Sequence, residues 1–239
     1  MKQKFELLQF INQLVACEPR LGKNLIKTEK LITKTLKSNG LSYGRQPFTV
    51  ADTPELAKEY KIKVPLEKHR TSNLLVGNLS KPKSILLTHF DAIGPGALDN
   101  ASGVAVCLKI LVENPDFIKN NLIVFSGSEE TSPEKPIYWG YGYRVFEEKY
   151  GRLLKNCRAI YVVDCVGDAK LHFFQGDYYF HEAVPLKNLA AVKQKLFVLT
   201  GSVKYLLAVC HTRKDTIAGL SQKYLEASYN QLVKACYRI

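Results

Sequence analysis

The chain has 239 residues, 46% of them hydrophobic and 23% charged, a balance that excludes a disordered polyelectrolyte and suffices for one sizeable core. No run approaches the roughly 20 apolar residues of a membrane span, and Met1 to Glu6 leads straight into an amphipathic pattern rather than a signal peptide, so a soluble, cytoplasmic protein with no membrane partner is expected. The net charge of +12 is spread along the chain without a basic stripe and interleaved aromatics, which argues against a nucleic-acid partner and leaves only the stretch Lys58 to Arg70 as a weak acidic-partner candidate.

Leu7, Phe10, Ile11, Leu14 and Val15 fall at helical spacing, predicting a helix over 5–16, and a second helix over 24–38 is stopped by Asn39-Gly40. Short extended segments follow at 46–50, 62–65 and 72–79. Four continuous apolar runs then read as strands buried on both faces: 84–89, 121–126, 159–164 and 205–211. Ala101 to Val112 is apolar almost all round and predicts a buried helix, and Ile217, Leu220, Tyr224, Ser228 and Leu232 mark an amphipathic C-terminal helix. No linker divides the chain. The expectation is one α/β domain over 1–239, a mostly parallel mixed sheet flanked by helices on both faces. The six cysteines, none in a Cys-x-x-Cys pair, read as free thiols that suggest no thiolate zinc site.

Each of the four runs ends in or leads to a residue able to bind metal: His89, the pair Glu129-Glu130, Asp164 and His211. In an open α/β sheet the carboxyl ends of the strands line one crevice, so residues distant in sequence converge there. Asp99 belongs to the same edge, in the loop Gly94 to Asn100, and Ala101-Ser102-Gly103 allow close backbone approach. Two imidazoles and several carboxylates suit zinc, with cobalt or manganese as substitutes. Two zinc ions would compensate three ligand carboxylates, which leaves Glu129 as an unligated carboxylate and general base.

His89-Phe90-Asp91, Gly96 to Val104, Glu129-Glu130, Val163-Asp164 and His211 to Thr216 together resemble the co-catalytic zinc aminopeptidase family, which includes bacterial leucyl aminopeptidase and, as a relative, glutaminyl cyclase. That resemblance implies two zinc ions bridged by Asp99, one completed by Glu130 and His211 and the other by His89 and Asp164. It further implies Glu129 as base, Asp91 orienting the His89 imidazole, a cis peptide at Asp99-Asn100, and peptides with a free N-terminus as substrates. The activity it implies is that of a zinc metallo-aminopeptidase. The alternatives are a glutaminyl-cyclase-like aminoacyltransferase and a non-catalytic binding protein on the same fold. The chain departs from the family pattern in the longer stretch Thr131 to Gly140, with Pro133, Pro136 and Trp139.

Several residues are read as structural. His69 is expected at the surface, His172 and His181 in packing or capping, Trp139 in packing, and Cys165 and Cys210 in the core because strand alternation turns them away from the neighbouring ligands. Asp168 and Asp215 are either supports of the ligands or turn residues. Tyr138, Tyr141 and Tyr205 are equal candidates for a donor to the substrate carbonyl.

Overall fold

A computed structural model describes residues 4–51, 68–134, 137, 139–175 and 183–238. The segment 62–65, most of the basic stretch 58–70, Tyr138 and His181 lie outside the described residues.

The chain opens with α1 (Leu7–Val15) and α2 (Leu25–Ser38). Their apolar stripes bury Leu7, Phe10, Ile11 and Leu14 on the first and Leu25, Ile32 and Leu36 on the second. Gly40, at φ 68°, turns the chain out of α2. β1 (Gly44–Ala51), β2 (Lys68–Gly77) and β3 (Ser84–His89) follow, then α3 (Gly103–Glu113), the short α4 (Phe117–Asn120) and β4 (Asn121–Ser126). The second half holds α5 (Tyr141–Asn156), β5 (Ala159–Val163), β6 (His172–Phe174), β7 (Leu196–Thr200), α6 (Val203–Val209) and α7 (Gln222–Tyr237).

The seven strands form one mixed sheet in the order β1-β2-β4-β3-β5-β7-β6. β4, β3, β5 and β7 run parallel, while β1, β2 and β6 pair antiparallel at the flanks. Alternation along the strands sorts the core into two layers. Leu86, Ile123, Phe125, Tyr161 and Leu199 face α1, α2, α3 and α7. Ile85, Leu87, Val124, Ile160 and Val198 face Tyr143, Phe146 and Leu154 of α5. Each such fully buried aliphatic side chain contributes about 1.5–3 kcal/mol. α3 is buried along its length from Gly103 to Leu111, as its all-round apolar sequence requires. α7 begins at Gln222, so Ile217 and Leu220 precede it, and its buried stripe is Leu225, Ser228, Leu232 and Cys236. No helix among the described residues is long and apolar enough to cross a membrane.

The segment 205–211 is not a strand. The Ser202 hydroxyl accepts a hydrogen bond from the Tyr205 N–H and caps helix α6, and the place beside β5 is taken by β7, whose Leu-Phe-Val-Leu-Thr composition suits a pleated surface better. A short apolar run has no periodicity to separate strand from helix. Its burial does: Val209 is 4% exposed while Leu207, two residues earlier, is 79% exposed.

Candidate metal centre

The parallel strands deliver their carboxyl ends to one edge, and the loops that leave them are tied down by buried side chains. Arg20, fully buried between α1 and α2, donates from Nε to Phe90 O (3.0 Å), from Nη1 to Pro95 O (2.9 Å) and from Nη2 to Gly96 O (2.8 Å). Gly96 has φ 61°, and a Cβ there would lie 2.5 Å from both Ala92 Cβ and Asp99 O, so only glycine fits. The Asp215 carboxylate accepts from Leu98 N (2.6 Å) and Asp99 N (3.0 Å) and fixes the backbone that carries Asp99. The Asp99–Asn100 peptide is cis. The Asn100 side chain accepts from Gly103 N (3.0 Å) and donates to Val163 O (2.9 Å), stitching the start of α3 to the end of β5. A Cβ on Gly103 would lie 2.5 Å from Val163 O, so the close approach expected of this helix start is real.

All five expected ligands and both expected catalytic residues meet at this edge. His89 Nε2 lies 3.2 Å from Asp99 Oδ1 and 3.4 Å from Asp164 Oδ1. His211 Nε2 lies 3.2 Å from Asp99 Oδ2 and 2.8 Å from Glu130 Oε2. Asp99 thus turns one carboxylate oxygen to each imidazole. The Asp91 carboxylate accepts from Glu129 N (2.9 Å) and Glu130 N (2.9 Å), and its Oδ1 lies 3.4 Å from His89 Nδ1. It therefore orients the glutamate pair and the back of the His89 ring together. His211 sits at φ 57° in the turn after α6 rather than at a strand end.

The donor set fits divalent metal. For ligand bonds of about 2.0–2.1 Å, atoms at the corners of a tetrahedron around zinc lie about 3.3 Å apart, close to the His89–Asp99, His89–Asp164 and His211–Asp99 separations. Glu130 Oε1 is buried without a hydrogen-bond partner among the described residues, a costly state that coordination would relieve. Donor groups from Asp99, Cys210 and His211, from His89, Glu129 and Glu130, and from His89, Asp99 and Asp164 each lie within 4.8 Å of one another.

Electrostatics tell the same story. Burial, reinforced by neighbouring Glu130, raises the Glu129 carboxyl well above the usual range. Burial, then Asp99, pushes Glu130 up to about 7. Burial opposes ionisation of Asp99 too, yet hydrogen bonds from His211 and His89 hold it well below the usual carboxylate value. Burial also works against charge on His89, and Asp164 with its fellow carboxylates overcomes this and raises the imidazole well above 6.5. Glu130 and Asp99 raise His211 in the same way against the effect of burial.

Residues 75–193 match the model of peptidase family M28. The chain carries a peptidase family M28 domain. No curated protein matches the sequence, but solved structures of the same fold cover almost all of it. A glutaminyl cyclase from Porphyromonas gingivalis is 16% identical over 99% of this chain and 98% of its own, with a TM-score of 0.73. A Zn-dependent exopeptidase from Parabacteroides distasonis is 14% identical over 100% of both chains, at 0.72. A leucine aminopeptidase precursor from Bacteroides thetaiotaomicron is 14% identical over 100% of this chain and 99% of its own, at 0.72. At such identities the likeness shows the fold.

Within this M28 domain the loop after Glu129-Glu130 is anchored rather than loose. Arg144 of α5 is buried and donates from Nε to Glu134 Oε2 (2.7 Å), from Nη2 to Ser132 Oγ (2.6 Å) and from Nη1 to Trp139 O (2.7 Å). Gly142 N donates to Ser128 O (2.6 Å) and Gly140 N to Glu129 O, closing the loop at its base. Trp139 is half-buried on this loop, and Tyr141 packs edge-on against Phe48.

Asp215 supports the Asp99 loop, whereas half-buried Asp168 accepts from Ser202 N (3.1 Å) and serves the turn before α6. His172 is exposed beside Phe174. His69 is 8% exposed, not at the surface, because the alternation of β2 turns it inward. Cys165 packs with Leu98 and Val209, but it lies past the end of β5 at φ 54° and its Sγ donates to Asp164 Oδ1 at 3.2 Å, so strand alternation does not turn it away from that residue. Cys210 does not point away from the site: its Sγ donates to Asp99 Oδ2 at 2.8 Å, since strand alternation does not apply after a helix.

The sequence does not single out Arg20, one charged residue among others between Glu18 and Lys23 on the approach to α2. Burial lowers its pKa, and the charges of Asp99, Asp215, Asp91 and Glu130 pull it back up. Arg20→Met should abandon three buried carbonyls and unfold the protein at a free energy lower by about 3 kcal/mol or more. Urea unfolding checks this, and an unchanged midpoint would deny Arg20 its anchoring role.

Proposed function

We propose that this M28 domain is a two-zinc metallo-aminopeptidase that releases the N-terminal residue of peptides, with His89, Asp99, Glu130, Asp164 and His211 as metal ligands and Glu129 as general base. The observation that carries the reading is Asp99, which faces His89 with one oxygen and His211 with the other, at 3.2 Å each. One metal would take Asp99, His89 and Asp164, the other Asp99, Glu130 and His211. Zinc bound there supplies Lewis acidity toward a peptide carbonyl and makes water a better acid.

The chain's own residues do the rest. Glu129 takes a proton from the attacking water and returns it to the leaving amine. Burial strengthens this carboxylate as a base, and positive charge brought in beside it favours its ionised form. Asp91 keeps Glu129 and Glu130 in register through their backbone N–H groups. The excess of carboxylates over imidazoles at the mouth, where Asp164 is 20% exposed, suits a substrate with a free amino terminus. On the Glu129 side Arg144 holds Ser132, Glu134 and Trp139 in place.

The glutaminyl cyclase among the similar structures supports one alternative, a glutaminyl-cyclase-like aminoacyltransferase in which Glu129 moves the proton during ring closure. A panel of zinc-loaded assays separates the two. Hydrolysis of aminoacyl chromogenic substrates supports the aminopeptidase, and cyclisation of an N-terminal glutamine without that hydrolysis overturns it.

Metal removal gives a further expected result. The carboxylates of Asp91, Asp99, Glu129, Glu130 and Asp164 crowd one pocket, and zinc at about 100 times its Kd stabilises the fold by about 2.7 kcal/mol per site. The melting temperature should therefore rise by about 5 °C or more on loading. The carboxylates that raise both imidazoles make protons compete with metal for the same nitrogens, so the rise should shrink as pH falls from about 8 to 6. Superimposed melting curves at neutral pH would contradict the burial of this charge.

A further inference from the structure

We propose that the Cys210 thiol is a ligand of the metal held by Asp99, Glu130 and His211, making that half of the centre a sulfur-containing site selective for soft divalent cations. The inference rests on the reading of this cluster as a metal centre, and it replaces the expectation that no thiolate takes part.

The argument is geometric. Cys210 Sγ lies 2.8 Å from Asp99 Oδ2, the same oxygen that His211 Nε2 approaches at 3.2 Å. Donor atoms of Asp99, Cys210 and His211 all lie within 4.8 Å of one another. The sulfur is delivered by the end of α6, where Cys210 (φ −50°, ψ 136°) leaves helical geometry and His211 follows at positive φ. This reversal brings two successive side chains to one site, which neither a strand nor a continued helix does.

Glu130 adjoins this group through His211: it is 3% exposed, its Oε2 lies 2.8 Å from His211 Nε2, and its Oε1 has no hydrogen-bond partner among the described residues. A carboxylate oxygen of Glu130 also falls with donor atoms of His89 and Glu129. The four side chains supply one sulfur, one nitrogen and two carboxylates. On the opposite side the donor group of His89, Asp99 and Asp164 contains no sulfur; the Cys165 thiol donates to Asp164 Oδ1 at 3.2 Å from within an apolar cluster but is not one of those donors.

On loading, the thiol proton now shared with Asp99 leaves to solvent as the sulfur–metal bond forms, with no change of oxidation state. A thiolate among oxygen and nitrogen donors favours zinc or cadmium over manganese. The two halves of the centre therefore differ in metal preference: the Cys210 half should discriminate strongly between zinc and manganese, and the His89 half weakly.

Cobalt(II) titration of the metal-free full chain tests this, since visible ligand-field bands report occupancy and a near-ultraviolet charge-transfer band reports sulfur ligation. Wild type should show both. Cys210→Ser should keep the visible bands and lose the charge-transfer band, whereas Cys165→Ser should keep both. Visible bands without charge transfer in wild type, or charge transfer that survives Cys210→Ser, would overturn the proposal while leaving the metal centre intact. Absence of all cobalt bands would instead remove the metal centre itself, and the proposal with it. Should Cys210→Ser fail to fold, peptide mapping of iodoacetamide-treated wild type decides: saturating zinc should slow alkylation of Cys210 by about tenfold or more, and an unchanged rate in zinc-bound protein would overturn the assignment.

Discussion

Glu129→Gln is expected to keep the fold and the metal while peptide hydrolysis falls by about 100-fold or more, the usual contribution of a positioned general base. The substitution preserves side-chain size and one accepting oxygen. It leaves untouched the Glu129 N–H bond to Asp91 and the closure of the loop through the Glu129 carbonyl. What it removes is the carboxylate that neither belongs to the proposed ligand set nor, like that of Asp91, holds backbone N–H groups in place. The loss should appear in kcat rather than KM, because the proton moves only as the transition state forms. Comparison of steady-state kinetics and zinc content in the two proteins checks this. Full activity with a normal zinc content would remove Glu129 from the mechanism.

Asp99→Asn should have the larger effect on the metal. One of its oxygens faces His89 and the other His211, so a neutral amide, with one oxygen and an NH2 in place of two oxygens, cannot serve both sides. Zinc affinity is expected to drop by more than about 100-fold, beyond the loss typical of residues that only orient ligands, and activity should vanish with it. Glu130→Gln is the informative contrast. Glu130 contacts His211 at 2.8 Å, so its loss should empty that half and leave the His89–Asp99–Asp164 half able to bind. Equilibrium dialysis of both variants distinguishes a shared from an unshared ligand, and equal stoichiometry in the two would refute the sharing.

The strands that carry the site were legible where sequence and sheet agree. The runs 84–89, 121–126 and 159–164 are continuous in their hydrophobicity because β3, β4 and β5 are covered by helices on both faces. Their polar ends at His89 and Asp164 stand out against that background. The reading failed between residues 196 and 211, where two apolar runs follow each other. Leu196–Thr200 enters the sheet and Val203–Val209 coils into a helix, a choice made by Ser202 capping and by the free edge of β5, neither of which periodicity records.

His211 still reaches the cluster, 3.2 Å from Asp99 Oδ2, because its role was read from chemistry rather than from its element. Cys210 was expected to turn away from it and does not, since that expectation depended on strand alternation. Arg20 was invisible for a different reason. It bonds only to backbone carbonyls, and carbonyl positions leave no mark on residue identity.

Anomalous scattering from crystals grown with saturating zinc tests the central claim most directly. The account predicts two zinc ions about 3.5–4 Å apart, one between His89 and Asp164, the other between Glu130 and His211, with Asp99 touching both. Zinc bound elsewhere on the chain, or a cluster in which Asp99 touches no metal, would contradict it.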